Sequence, residues 1–239
     1  GQLGMKLTGD LQHLNIATWS HLFFPSAYLR NETFILDGHL EGTLDAQWQL
    51  QDLTANLGSD KGAVTIKGLN NVLLTFEKLA AHIRFDKSQN LLMLSDTHLT
   101  MNGREIALQG EKKLGETSGI YPLSVLIPEL SFDELRQLWP ESAKDTLLAD
   151  WLTRRLDKGI VHNFQMTLPI DFTNPDVVDA TKLNASFDFE KLDVDYRAPL
   201  IPVTNTKGHV SLHDDTLAID VVSGRIADLD IKQGTVTFT

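Results

Sequence analysis

Between Phe34 and Leu50 the chain reads FILDGHLEGTLDAQWQL, and every even position is apolar or glycine: Phe34, Leu36, Gly38, Leu40, Gly42, Leu44, Ala46, Trp48 and Leu50. The odd positions carry Asp37, His39, Glu41, Thr43, Asp45, Gln47 and Gln49, with Ile35 the one exception. A period of two is that of a strand with one dry face and one wet face. Read as a single strand, the stretch predicts a ribbon roughly 56 Å long at about 3.3 Å per residue, far longer than an ordinary strand.

The same period recurs in AVTIKG, HIRFD, LLML, HLTMN and EIALQG, each bounded by turn-forming residues such as Gly58-Ser59-Asp60, Ser88-Gln89-Asn90 and Asn102-Gly103. Asn-Gly between alternating runs is a strong hairpin signal, so this region predicts an antiparallel meander. The period then changes. LSFDELRQLWP predicts a short helical turn that stops before Pro140, and Ser142 to Lys158 places Leu147, Leu148, Trp151, Leu152 and Leu156 on one helical face. Acids at its start, Arg154, Arg155 and Lys158 at its end and Gly159 as the stop predict an amphipathic helix roughly 25 Å long.

After Gly159 the two-residue period returns in VHNFQMTLPIDF, LNASFDFEKLDVDY, TLAIDV and IKQGTVTFT. In the second of these the alternation slips between Phe189 and Leu192. The expected organisation is a β-rich half over 1–130, a helical insert over 131–159 and a second β-rich half over 160–239, sharing one continuous sheet. Both ends of the chain alternate without a cap or turn, which suggests a segment cut from a longer protein.

Composition narrows the function. A net charge of -11 and a pI near 5.1 leave no basic stripe to neutralise phosphates, so nucleic acid is not an expected partner. The absence of cysteine removes thiol catalysis, thiolate metal sites and disulfides together. No G-x-S-x-G elbow is present, and GSDKGAVTIKG lacks the spacing of a phosphate loop. His209 and His213, beside Asp214 and Asp215, form the best histidine cluster, but about 13 Å separates the two along a strand, and Asp214-Asp215 reads as a turn. His39 and His162 read as solvated. Paired carboxylates for sugar hydrolysis are uninformative among 32 acids. The residues imply no cofactor, no metal and no catalytic group.

What remains is the apolar face itself. Either a helix and a second sheet close over it as core, or the sheet leaves it partly open, and an open greasy face binds something. Pattern alone leaves both readings standing.

The middle and end of the chain carry a resemblance. Leu138-Trp139-Pro140, the predicted helix with Trp151-Leu152, and Lys158-Gly159-Ile160-Val161 follow in order. Then come Leu192, Tyr196, Pro199, Pro202, Lys207-Gly208, Thr216-Leu217, Ser223-Gly224-Arg225 and Gly234-Thr235-Val236. From about 125 to 239 this resembles the AsmA-like family, in particular its YhdP-type branch. A single Gly159 stands where that branch has two adjacent glycines, and the prolines are spaced apart. The resemblance implies a long curled antiparallel sheet with a hydrophobic groove, plus one amphipathic α-helix and a short helical turn. It further implies a periplasmic location in Gram-negative bacteria, as part of an inner-membrane-anchored protein that moves phospholipid between inner and outer membrane and supports outer-membrane integrity. Its partners would be phospholipid acyl chains and envelope proteins. The expected groove-wall residues are Phe34, Leu36, Leu40, Leu44, Trp48 and Leu50, with Phe164, Met166, Leu168, Phe187 and Phe189 in the second half. The alternative is a structural or assembly module that docks partner proteins through its sheet edges.

Overall fold

The computed structural model describes residues 4–15, 29–30, 34–66, 73–115, 120–138, 149, 154–171, 183–195, 201–213 and 216–238. Strands dominate them, as the period of two predicts. In chain order they are β1 (Met5–Asn15), β2 (Leu29–Arg30), β3 (Ile35–Leu44), β4 (Leu50–Ser59), β5 (Gly62–Ile66), β6 (Leu73–Phe76), β7 (Lys78–Asp86), β8 (Leu91–Met101), β9 (Arg104–Lys113) and β10 (Ile120–Ser131). After the helix Phe132–Leu138 come β11 (Leu156–Asp171), β12 (Asn184–Val194), β13 (Val203–His213), β14 (Thr216–Ile226), β15 (Leu229–Ile231) and β16 (Gly234–Phe238). A 13-stranded sheet has the order β1-β3-β4-β7-β8-β9-β10-β11-β12-β13-β14-β15, with β16 also on β14, and β2-β5-β6 form a separate sheet. The described residues fall into two compact units, the first taking 4–66, 73–124 and 170–171 and the second 125–169 and 183–238.

In the first unit the 17-residue ribbon is not one strand. It folds back at Asp45, giving the hairpin β3–β4 with Leu44 opposite Leu50. Asp45 makes the turn: its Oδ1 accepts the N–H groups of Gln47 and Gln49, each at 2.9 Å. Trp48 takes a positive φ of 63° and is 71% exposed. The turn carries neither glycine nor proline, and Ala46, Trp48 and Leu50 continue the alternation across it, so the pattern hides the break.

The meander is likewise interrupted. AVTIKG leaves it: β5 pairs β6 in the small sheet, and β4 pairs β7. Phe34 packs edge-on against Phe76 there, with ring centroids 5.3 Å apart. The hairpin β8–β9 turns on Asn102 and Gly103, both at positive φ (51° and 70°), the backbone that the Asn-Gly pair supplies. LLML and HLTMN are one strand, β8, interrupted by a bulge at Asp96 (φ 44°).

In the second unit the helix Phe132–Leu138 is the expected short turn. Its first residues are held by a reciprocal cap: the Ser131 N–H donates to Glu134 Oε2 at 2.7 Å, and the Glu134 N–H donates to Ser131 Oγ at 3.2 Å. Phe132 and Leu135, each 1% exposed, form its inner side. The amphipathic helix expected over Ser142–Lys158 falls mostly outside the described residues, although Ala149 is helical and buried. Its expected end is corrected. Leu156 already begins β11 and pairs Val194, and Lys158 (φ 59°) and Gly159 (φ 84°) lie within that strand rather than stopping a helix. Leu156 is 5% exposed, so core burial in a strand prevails over its helical spacing. The slip in β12 is a bulge at Lys191 (φ 56°), which restores Leu192 and Val194 to the face shared by Phe187 and Phe189. Further bulges sit at His13, Asn163 and Asn205, all at positive φ.

Candidate functional site

Register builds the apolar face of the first unit residue by residue. Leu36, Gly38, Leu40, Gly42 and Leu44 of β3 stand opposite Leu14, Leu11, Gly9, Leu7 and Met5 of β1. On the other side Gly38, Leu40 and Gly42 stand opposite Leu57, Ala55 and Leu53 of β4, which in turn face Ala81, Ile83 and Phe85 of β7. Ile83 and Phe85 face Leu94 and Leu92 of β8, and Leu99 faces Ile106 of β9. Six strands spaced about 4.8 Å apart make this face roughly 24 Å wide across the strands.

This face is incompletely covered. Leu40, Leu44, Leu50, Leu53, Leu57, Ile83, Phe85, Leu92, Leu94, Ile106 and Leu108 are all half-buried. Met5 and Leu7 are 40% and 44% exposed, and only Leu36 and Ala55 on β3 and β4 are buried apolar side chains. Glycines keep part of it shallow: at Gly38 and Gly42 a side chain would run into the carbonyls of Asn56 and Asp52.

The second unit uses the same period and closes it. Val161, Phe164, Met166, Leu168, Ala185, Phe187, Phe189, Leu192, Val194, Val203, Val210 and Leu217 are each 7% exposed or less. Phe187 lies between Phe132 of the helix and Phe164 of β11, with ring centroids 6.1 Å from each.

The sequence-predicted wall residues therefore divide into three groups. Leu36, Leu40, Leu44 and Leu50 share the partly open face. Phe34 sits beside it against Phe76, and Trp48 lies at the exposed hairpin turn rather than on the wall. Phe164, Met166, Leu168, Phe187 and Phe189 belong to the closed core of the second unit.

The wet faces contain an arrangement that the sequence pattern does not announce. Asp10, His39, Asn56, His82 and Ser95 are successive register partners across β1, β3, β4, β7 and β8. His162, Asp188, His209, Asp220 and Thr235 make a similar row across β11, β12, β13, β14 and β16. His39 Nδ1 is 2.6 Å from Asp10 Oδ1, His82 Nδ1 is 2.6 Å from Asn56 Oδ1, and His209 Nδ1 is 2.9 Å from Asp188 Oδ1. His162 lies 3.5 Å from both Glu129 and Glu190.

These bonds set the charges. Hydrogen bonds from Asn163 and His209 hold the Asp188 carboxyl below the usual carboxylate value. Asp10, and after it Glu41, raise the His39 imidazole above its ordinary value. Asp193 is lowered by Lys158, 2.8 Å away, and by the N–H of Asn205. Among the described residues no group of three or more His, Asp or Glu side chains is arranged to hold a metal ion. His209 and Asp188 form a strand-to-strand pair, and Asp214 and Asp215 lie outside the described residues. A row of polar partners across a sheet is invisible along the chain; only the register, set by turns and bulges, assembles each row.

No known protein family, characterised protein or solved structure matches this chain.

Proposed function

We propose that the chain is a lipid-binding, non-enzymatic segment whose first unit holds phospholipid acyl chains against the open face around Leu40, Leu44 and Leu53. The observation that carries this reading is the incomplete cover over six adjacent strands of apolar side chains. Ordinary cores bury such residues, and an exposed apolar surface of this extent marks a binding surface. An acyl chain gains roughly 0.8 kcal/mol for each methylene that it buries. Contacts of this kind carry no direction, so a chain shifted by one methylene along the face exchanges like for like.

The resemblance of residues 125–239 to the AsmA-like family supports the wider setting. In it the segment forms part of a curled sheet with a hydrophobic groove, in a periplasmic protein anchored in the inner membrane elsewhere in its chain. That protein carries phospholipid between the two membranes and sustains the outer one. The five second-half wall candidates, all buried and with Phe187 against Phe132 of the helix, act as the core that steadies the sheet rather than as lipid contacts.

The test is lipid extraction and mass spectrometry on the segment purified from bacterial cells without detergent. The native chain is expected to carry phospholipid, and Leu44→Asp, which places a carboxylate on the half-buried face, is expected to lose it while keeping the strand content of the native chain. A lipid-free, stable native protein overturns the reading. If that lipid-free chain also captures a stoichiometric protein partner, the sheet serves for docking instead. Unfolding of Leu44→Asp makes Leu44 plain core.

A further inference from the structure

Among the described residues β1 ends the sheet order and is bonded along one side, to β3. Nine of its eleven residues are exposed, so burial contributes little to its seat. The ladder and several polar cross-strand pairs of the wet face hold it. Lys6 Nζ lies 3.7 Å from Glu41 Oε2. His39 Nδ1 lies 2.6 Å from Asp10 Oδ1, with its Nε2 at 3.4 Å from both Glu41 Oε1 and Thr8 Oγ1. His13, at the bulge, donates its backbone N–H to Asp37 Oδ1 at 2.7 Å and places its ring Nδ1 3.6 Å from the same oxygen.

His39 is the centre of this set. It stands between Asp10 on the neighbouring strand and Glu41 on its own, and the β4 residues opposite His39 and Glu41 are the uncharged Asn56 and Thr54. With the imidazole protonated, one cation bridges two carboxylates. With it neutral, Asp10 loses its cationic partner, Glu41 keeps Lys6 at 3.7 Å, and the pairing loses its charge-assisted bond.

We propose that β1 is a pH-released edge strand, clasped to β3 by the Asp10–His39–Glu41 bridge and freed to unpair when that bridge loses its proton. The hydrogen bonds from Asp10 and Glu41 raise the folded-state pKa of His39 above 6.5. The stabilisation is therefore fully present below about 6.5 and is lost as pH rises through the raised folded value. Release bares the N–H and C=O groups along one side of Ile35–Leu44, together with the margin of the apolar face at Leu40 and Leu44. Such an edge accepts an incoming strand. The inference stands on the β1–β3 ladder alone and does not require that face to hold lipid.

Backbone hydrogen exchange of the whole chain at pH 6 and pH 8, corrected for intrinsic rates, tests it. The amides of Lys6–Leu11 and of their partners in Gly38–Thr43 are expected to open several-fold more often at pH 8, while the β8–β9 ladder of the same unit stays unchanged. His39→Gln, at a half-buried position, and Asp10→Asn, at an exposed one, should each erase the difference between the two pH values. Equal opening of the native ladder at both pH values overturns the proposal, as does a rise of equal size in β8–β9. Retention of the pH difference in His39→Gln overturns it too, since another group would then be responsible.

Discussion

Leu40 on β3 and Phe187 on β12 occupy equivalent places in the same kind of pattern, an apolar residue flanked by polar ones in an antiparallel strand. Their surroundings differ. Leu40 is itself half-buried, between Gly9 of β1 and Ala55 of β4, whereas Phe187 is 1% exposed and held between two aromatic rings. The lesson is that alternation specifies which side of a strand is apolar and leaves unstated whether anything covers that side. Cover comes from elsewhere in the chain, here in part from the helix, whose Phe132 packs on Phe187. A sheet can thus have a sealed region and an open one without any change in its strand grammar.

Truncation gives the largest test of that difference. Phe187→Ala is expected to cost about 3–5 kcal/mol, the usual loss for a fully buried aromatic, read by denaturant unfolding. Leu40→Ala should cost less, about 1–2 kcal/mol, because Leu40 is only half-buried. Equal costs would mean that the first unit is as closed as the second, and the comparison would collapse. Next in size, Ser131→Ala removes the reciprocal cap with Glu134 and should destabilise the second unit by about 1 kcal/mol. Its effect on lipid carried by the first unit should be nil, and a loss of lipid in this variant would show that the helix serves both units.

The smallest effects are those of pH, and they have opposite signs in the two units. Asp188 has a lowered pKa, so its stabilisation is present above the unfolded value near 3.8 and is lost as pH falls through the folded value. Acid titration followed by unfolding should show the second unit weakening below about pH 4, with a shallower decline in Asp188→Asn. His39 works the other way, its contribution fading as pH rises. A first unit whose β1–β3 ladder is steadier at pH 8 than at pH 6 would contradict that assignment.

Much of this architecture was legible in the chain. The alternation of β3, the Asn102-Gly103 hairpin, the short helix before Trp139 and the slip between Phe189 and Leu192 all read correctly, because each rests on a local rule of spacing or backbone conformation. Three features were not. The turn at Asp45 depends on a side-chain oxygen gathering two backbone N–H groups, while Ala46 and Trp48 keep the alternation running through it. Lys158-Gly159 looks like a helix stop, yet the pairing of Leu156 with Val194 draws it into a strand. The split of the wall candidates into open and closed sets depends on cover brought from elsewhere in the chain. For the same reason the two histidine rows could not be seen: successive members lie 11 to 29 residues apart and meet only when the register is known.

The bulges at His13, Asp96, Asn163, Lys191 and Asn205 give the fold an unexpected freedom. A strand reads its sequence in a frame of two, so one inserted residue would turn every later side chain to the wrong face. Each of these left-handed residues absorbs such an insertion on the spot, as β12 does when Leu192 resumes the face that Phe189 left. In genetic terms they behave as suppressors of a frameshift. A lineage built this way can gain or lose single residues within its strands, and lose recognisable likeness to its relatives, while its dry side stays dry.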